Sequence, residues 1–172
     1  MPDIEIKPLS PSPGIRASLS EMMIEAVAHG GSVSFMHPLP PEVANAFWEK
    51  SLAAAARGER IILGAFDGDQ LVGTDLAFNQ PHRAEIVKMM TRISHRGRGV
   101  AKALLHAAER AAIERGRWLL VLDTAVDEGA AGLYERMGFK LTGLIPDYAL
   151  KPHGGLTGTL IYWKRLQAGA PA

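Results

Sequence analysis

His95-Arg96-Gly97-Arg98-Gly99-Val100-Ala101-Lys102 is the stretch on which the fold turns. Upstream, Arg83–Thr91 reads as a strand. Downstream, residues 99–116 read as an amphipathic helix with Ala101, Leu104, Leu105, Ala108, Ala111 and Ala112 on its inner face, stopped by Gly116. Trp118–Leu122 follows as a uniformly apolar run, the pattern of a strand covered on both faces. Strand, glycine-rich turn, helix and apolar strand in this order predict a right-handed parallel crossover over 83–122. Glycines at 97 and 99 let the backbone turn tightly and approach a ligand without a Cβ clash. The first N–H groups of the new helix lack intrahelical partners, and with the helix dipole they favour an anion there. Arg96, Arg98 and Lys102 add positive charge, so the stretch reads as a pyrophosphate cradle. It lacks the G-x-x-x-x-G-K-[ST] of a P-loop, and its glycine spacing is not that of a Rossmann fingerprint.

Working outward, Asp3–Pro8 alternates as a first strand, and Ser10–Gly14 is a turn. Leu19, Met22, Met23, Ala26 and Val27 repeat at helical spacing over 16–28, ended by His29-Gly30-Gly31. Pro40-Pro41 opens a second helix, 41–57, closed by Gly58. Arg60–Phe66 and Gln70–Phe78 form a hairpin about Asp67-Gly68-Asp69, and Asn79–His82 is a loop. A short helix over 128–137 ends at Gly138, and strands over 139–149 and 157–166 precede a frayed tail, Gln167–Ala172. The order β-α-α-β-β-β-α-β-α-β-β implies an α/β (α+β) fold. Its sheet is mixed, mostly antiparallel and twisted, with a central parallel β-α-β unit and helices on both faces. No repeat or linker divides the chain, so one domain over 1–172 is expected, with its core at about 3–166.

Composition bounds the function. The 172 residues are 47% hydrophobic and 22% charged, enough apolar material for a core without staples. The absence of cysteine excludes a disulfide scaffold, a thiolate metal site and a cysteine nucleophile. The longest hydrophobic runs are five residues, Leu52–Ala56 and Trp118–Leu122, against the about 20 that a spanning helix needs. Met1–Leu9 has no basic stretch followed by an apolar core, so no leader is expected, and the expectation is a cytoplasmic domain with no membrane partner. Net charge is +1, but Arg83–Arg117 holds nine Lys or Arg and three Glu, with no acid between Glu85 and Glu109. Such a block suits a small polyanion rather than nucleic acid, since it surrounds a turn and lacks interleaved aromatics. No histidine or carboxylate pattern has metal-ligand spacing, so no metal is expected, and the seven methionines read as core fillers.

Arg96-Gly97-Arg98-Gly99-Val100-Ala101 resembles the R/Q-x-x-G-x-G/A signature of the GNAT superfamily of acyl-CoA-dependent N-acyltransferases. Asp127-Glu128-Gly129-Ala130-Ala131-Gly132-Leu133-Tyr134-Glu135-Arg136-Met137-Gly138-Phe139 is similar to a second pattern of that superfamily, N-x-x-A-x-x-L-Y-x-x-x-G-F, with Asp127 where asparagine is usual. Arg96 and Tyr134 stand 38 positions apart with an apolar strand between them. A narrower resemblance, to the tabtoxin-resistance acetyltransferases, is carried by His29–Met36, Arg83–Glu85, Leu122–Thr124, Pro146–Tyr148 and Thr159–Lys164.

The resemblance implies acetyl-CoA as co-substrate and a small-molecule primary amine as acceptor, which attacks the thioester carbonyl directly in a ternary complex. It implies that Met90, Thr91 and Arg92 pair with the pantetheine arm, that Arg96, Gly97, Arg98, Gly99, Val100, Ala101 and Lys102 hold the pyrophosphate, and that Asp127 and Tyr134 lie along the same arm. An alkyl ammonium must lose a proton before it attacks, so a base is needed. None of the six histidines stands out, as they fall in loops or on the solvated side of the cofactor helix. Glu85 on the third antiparallel strand and Asp123 at the end of the apolar run are the candidate bases, and Tyr134 is the candidate acid for the leaving thiolate. Blander roles are an ion pair of Glu85 with Lys88 or Arg83, a helix cap for Asp123, and a ring packed beneath Phe139 for Tyr134. Phe35 and Tyr148, with Trp48 and Tyr162, are candidates for the acceptor pocket, over which His29–His37 would fold as a lid. A protein lysine or N-terminal acetyltransferase, or a non-catalytic acyl-CoA sensor, stands as the alternative. Strands near the C-terminus leave a homodimer open.

Overall fold

The computed structural model describes residues 4–76 and 80–167. Seven strands form one sheet in the order β1-β2-β3-β4-β5-β7-β6. They are β1 (Ile4–Pro8), β2 (Ile62–Asp67), β3 (Gln70–Leu76), β4 (Arg83–Thr91), β5 (Leu119–Ala125), β6 (Lys140–Leu150) and β7 (Leu156–Arg165). The helices are α1 (Pro13–Ala28), α2 (Pro41–Ala56), α3 (Val100–Glu114) and α4 (Ala131–Arg136). β4 and β5 pair in parallel, and the other neighbouring strands pair antiparallel. Element order and the parallel crossover are those expected from the sequence. Asp3, Phe78, Asn79 and tail residues 168–172, each assigned above, lie outside the described residues.

Two boundaries differ for local reasons. α1 starts at Pro13, within the expected turn, because the Ser12 hydroxyl accepts from Ile15 N–H at 3.1 Å and proline suits the first helical turn. β5 runs three residues past Leu122, because Asp123, Thr124 and Ala125 continue the ladder with Ile161, Leu160 and Thr159 of β7. Asp123 is therefore a strand residue and does not cap the next helix, which starts only at Ala131 after a 3₁₀ turn, Val126–Glu128.

Alternation along β2 divides the core. Ile62 and Phe66 face α1 and α2, packing with Leu19, Met22, Met23 and Trp48. Leu63 and Ala65 face α3, packing with Val72, Val100 and Leu104. A third cluster joins Leu105 of α3 to Leu120, Leu122, Tyr162, Tyr134 and Phe139. Trp48 and Tyr162 are thus core residues, 1% and 0% exposed, and not walls of an acceptor pocket. The Tyr162 hydroxyl is satisfied by donating to Glu135 Oε1 at 3.2 Å. Met22, Met23, Met90 and Met137 are buried as core fillers, whereas Met36 is exposed. β6, an edge of the sheet, leaves Leu141, Leu144, Ile145, Tyr148 and Leu150 exposed. Among the described residues no helix is long and apolar enough to cross a membrane.

Gly73 sets how closely β3 and α3 approach beneath the crossover. A Cβ there would lie 2.7 Å from Val100 Cγ1 and 3.0 Å from both Leu104 Cδ1 and the Met90 carbonyl oxygen. Gly73→Ala is expected to cost about 1–3 kcal/mol by overpacking, lowering the melting temperature by roughly 2–4 °C per kcal/mol. Thermal unfolding followed by circular dichroism measures this, and an unchanged midpoint would contradict the close packing.

Candidate active site

The site begins where the sheet comes apart. β4 pairs with β5 from Arg83–Leu119 to Ile86–Leu122 and no further. Beyond that, β4 stays with β3 through Val87–Leu76, Met90–Thr74 and Thr91–Gly73, while β5 stays with β7. From Val87 to Met90 β4 advances three positions against two on β3, so it carries one extra residue, a bulge. Lys88 is in this bulge, in the left-handed region at φ 56°. Burial records the same break, since Val87, Lys88 and Met89 are all half-buried where strict alternation would hide one.

Two cavities fill the opening. One, of about 500 Å³, is lined by Met90, Thr91, Arg96, Gly97, Gly99, Val100, Ala101 and Lys102, with Ala130, Leu133 and Arg136 opposite. The other, of about 310 Å³, is lined by Glu85, Lys88, Asp123, Tyr148, Thr159, Ser32 and Ser34 among others. Val33, Met89, Thr124 and Tyr134 line both, so the cavities meet across these four residues.

The larger cavity has the cradle at its floor. Gly97 and Gly99 adopt φ 73° and 81°, a region that costs an L side chain roughly 1–2 kcal/mol. At this end Ala103 N–H donates to Gly99 O at 3.0 Å, so the N–H groups of Val100, Ala101 and Lys102 head the helix. The loop is clamped from below by Asp67. Its Oδ2 lies 3.2 Å from His95 Nε2 and 2.9 Å from Arg98 Nη2. Ser94 Oγ is 2.8 Å from His95 Nδ1, so both ring nitrogens have a hydrogen-bond partner. His95 lies in the turn ahead of α3, as expected, and is buried there, 7% exposed. Arg98 therefore braces the loop and is absent from the cavity wall. Arg92 is turned away too. Its Nε donates to Leu71 O at 2.8 Å, its Nη2 reaches Glu21 at 3.4 Å, and its backbone N–H donates to Val72 O at 2.8 Å.

The smaller cavity gathers the candidate bases. Glu85 is half-buried on β4 and Asp123 is exposed on β5. Thr159 Oγ1 stands 3.1 Å from both Asp123 Oδ2 and Thr124 O, and its single proton serves one of them. The Lys88 ammonium donates to Ser34 Oγ at 2.9 Å, and burial holds it below the usual lysine range against the opposing pull of Asp123. Tyr134 is 6% exposed, with ring centroids 6.0 Å from Phe139 and 5.8 Å from Tyr162, so its ring packs in the core while it also lines the junction. Tyr148 lines the smaller cavity. Phe35 lines neither cavity; it packs edge-on against Phe47 at 5.4 Å and lies beneath the Lys88 ammonium at 5.9 Å. Asp127 also lines neither. Its carboxylate pairs with Lys151 at 2.6 Å, which holds it below the usual range, and accepts from Thr157 at 3.3 Å.

The segment expected as a lid does contribute Ser32, Val33 and Ser34 to the cavities. Its far end is fastened to the β6–β7 turn, with His37 N–H donating to Pro152 O at 2.8 Å and the His37 and His153 rings 4.4 Å apart. Sequence reasoning used Lys88 only as a partner for Glu85 and passed over Asp67. The available signal for Lys88 was a charge interrupting the apolar run Ile86–Met90. Among the described residues no group of three or more His, Cys, Asp or Glu is arranged to hold a metal ion.

Residues 24–139 match the Acetyltransferase (GNAT) family. The chain is 35% identical over 119 residues to the uncharacterized N-acetyltransferase YsnE of Bacillus subtilis (strain 168), covering 66% of this chain and 76% of that one. It is 39% identical over 62 residues to N-acetyltransferase 8B of Homo sapiens, covering 36% of this chain and only 27% of the human protein's length. Its fold is similar to that of RimL, a ribosomal L7/L12 α-N-protein acetyltransferase solved in complex with coenzyme A, with a TM-score of 0.79 at 17% identity, covering 96% of this chain and 99% of that chain.

The Asp67 clamp predicts how the cradle moves. Asp67→Asn removes the charge that His95 and Arg98 share, and hydrogen bonds to charged groups contribute about 1.5–3 kcal/mol. Amide hydrogen exchange over Gly97–Lys102 is expected to quicken at least about tenfold, while β5–β7 keeps its protection. Equal rates in the loop would mean that the glycines alone hold its shape.

Proposed function

Because the chain belongs to the Acetyltransferase (GNAT) family, we propose that it transfers an acetyl group from acetyl-CoA to the primary amine of a small molecule, amino-acid, dipeptide or antibiotic-like, by direct attack in a ternary complex. The observation that carries this reading is the meeting of two cavities at Tyr134, one floored by an anion cradle and the other holding two carboxylates.

The cradle fits a pyrophosphate-bearing cofactor. Its glycines leave open the space a Cβ would occupy, helix N–H groups head α3, and Arg96, Lys102 and Arg136 line the wall. Met90 and Thr91 lie on the strand edge that β5 has left, where backbone groups are available to an extended arm. Bound acetyl-CoA supplies an activated acetyl thioester. The rest of the chemistry falls to the chain. Glu85 and Asp123 hold the acceptor ammonium and take up its proton, directly or through water, freeing the nitrogen lone pair. The Tyr134 hydroxyl, at the junction, gives up a proton on the cofactor side.

A small acceptor is supported by the volume of about 310 Å³ and by the lid residues Ser32–Ser34 over it. The resemblance to tabtoxin-resistance acetyltransferases points the same way, because Ser32–Ser34, Glu85, Asp123, Thr124, Tyr148 and Thr159 belong to its segments and line this cavity.

A thiol-release assay with acetyl-CoA against amino acids, dipeptides, aminoglycosides and polyamines tests the proposal. Turnover of an amine is expected, with kcat about 10²–10⁴-fold lower in Glu85→Gln or Asp123→Asn, the span of general-base catalysis, and coenzyme A affinity retained in both. Gly99→Ala is expected to weaken coenzyme A binding at least about tenfold, since the residue must hold φ 81° in a side chain that disfavours it. Coenzyme A binding without turnover of any amine would overturn the small-molecule reading.

A further inference from the structure

The acceptor cavity is not uniformly acidic. It holds two carboxylates, Glu85 and Asp123, and one ammonium, Lys88. Lys88 lines this wall from within the bulge of β4, at φ 56°. Its Nζ is fixed by Ser34 Oγ at 2.9 Å and backed by the Phe35 ring at 5.9 Å. Ser34 itself adopts φ 67°, and Asp147, beside the lining residue Tyr148, adopts φ 52°. Among the described residues these three are the non-glycine residues with positive φ; Lys88 and Ser34 line this cavity, and Asp147 is next in the chain to Tyr148, which lines it. Strain gathered in one place, at a site of opposed charges, marks a built recognition surface.

We propose that Lys88, with Ser34, is the carboxylate anchor of the acceptor site, so that the acceptor is a zwitterion, an α-amino acid presenting its ammonium to Glu85 and Asp123 and its carboxylate to Lys88. The inference deepens the acetyl-transfer reading and rests on it for which amine is acetylated. A cavity of about 310 Å³ accommodates one amino acid and lies at the lower end of small-molecule sites, about 300–1,000 Å³. The same ammonium repels polyamines and aminoglycosides, which carry positive charge at both ends. Burial already disfavours the charged form of Lys88, and a bound carboxylate would restore what the solvent no longer provides.

The test compares free α-amino acids with their α-carboxamides, which keep the amine and lose the negative charge. Calorimetric titration of the coenzyme A-loaded protein with the twenty standard amino acids and their amides reads binding independently of transfer. At least one amino acid is expected to bind tenfold or more tighter than its amide, and kcat/KM to show the same preference. Lys88→Gln is expected to bring the acid-to-amide ratio close to one, and Lys88→Arg to keep it above one. Ser34→Ala, a second variant at the same contact, is expected to lower the ratio several-fold. Equal affinity for acid and amide in the wild type, no binding of any amino acid, or a ratio unmoved in Lys88→Gln would overturn the proposal. Selective binding that depends on Lys88 without any acetyl transfer would uphold the anchor and overturn the transferase reading instead.

Discussion

Among the described residues, four positions of parallel ladder, Arg83–Ile86 against Leu119–Leu122, join the two halves of the sheet, with His82 O accepting from Trp118 and Leu119 N–H at one end. Every other feature of the site follows from that pairing stopping where it does. Continued pairing would bury the backbone of Val87–Thr91 and close the opening. Instead β4 is held from the other side by β3, and β5 by β7, so each half keeps its own ladder while the shared edge is free. Backbone N–H and C=O groups on such an edge need partners, and water or an extended ligand must supply them. α3 packs on the β1–β4 half through Val100 and Leu104 and reaches β5 and β7 through Leu105, while Tyr134 of α4 packs with β5–β7, so the opening has a wall on each side.

Two kinds of backbone strain border this opening, and the chain handles them differently. At the cradle the left-handed positions are glycines, 97 and 99, where such a conformation is inexpensive and no side chain intrudes. At the acceptor wall the left-handed positions are Lys88 and Ser34, where it is not. Glycine would serve if only the turn mattered. A lysine kept at φ 56°, with its ammonium on Ser34, makes sense when the side chain itself is what the bulge delivers. The Asp67 clamp belongs to the cheaper strategy: it fixes a loop whose backbone is the working group in the proposed reading, and it does so with side chains outside the cavity, apart from His95.

The sequence made the fold legible through patterns of short range. The helical spacing of Leu104, Leu105 and Ala112, the apolar run at Trp118–Leu122 and the hairpin signal at Asp67–Asp69 each depend on neighbours in the chain, and each element appears where it was expected. The cradle was legible for the same reason, since glycine and arginine spacing encodes a turn. Glu85 was placed on its strand correctly and Asp123 at the end of a strand that in fact continues to Ala125, and what surrounds Asp123 was not legible, because the Thr159 contact comes from 36 residues away. Trp48 and Tyr162 were misjudged because an aromatic side chain reads alike whether it lines a pocket or fills a core, and only the tertiary packing of α1, α2 and β7 decides. Arg92 was expected to pair through its backbone with the pantetheine arm, and Arg98 to give the cradle an N–H group and positive charge. Their actual partners, Leu71 O and Asp67, lie on other strands or turns that no local pattern points to.

In the proposed reading, cofactor and acceptor recognition rest on different parts of the chain. The cradle is built by one continuous segment, the end of β4 and the start of α3, and its working groups are mostly backbone. The acceptor wall is assembled from β4, β5, β6, β7 and the segment after α1, and its working groups are side chains. Substituting a side chain in the second set leaves the backbone of the first in place, because the two meet only at Val33, Met89, Thr124 and Tyr134. An acyltransferase built this way can change its amine without rebuilding its hold on the donor. The four junction residues are the exception: a change there alters both cavities at once, and Tyr134, fixed between the rings of Phe139 and Tyr162, is the least free of them to vary.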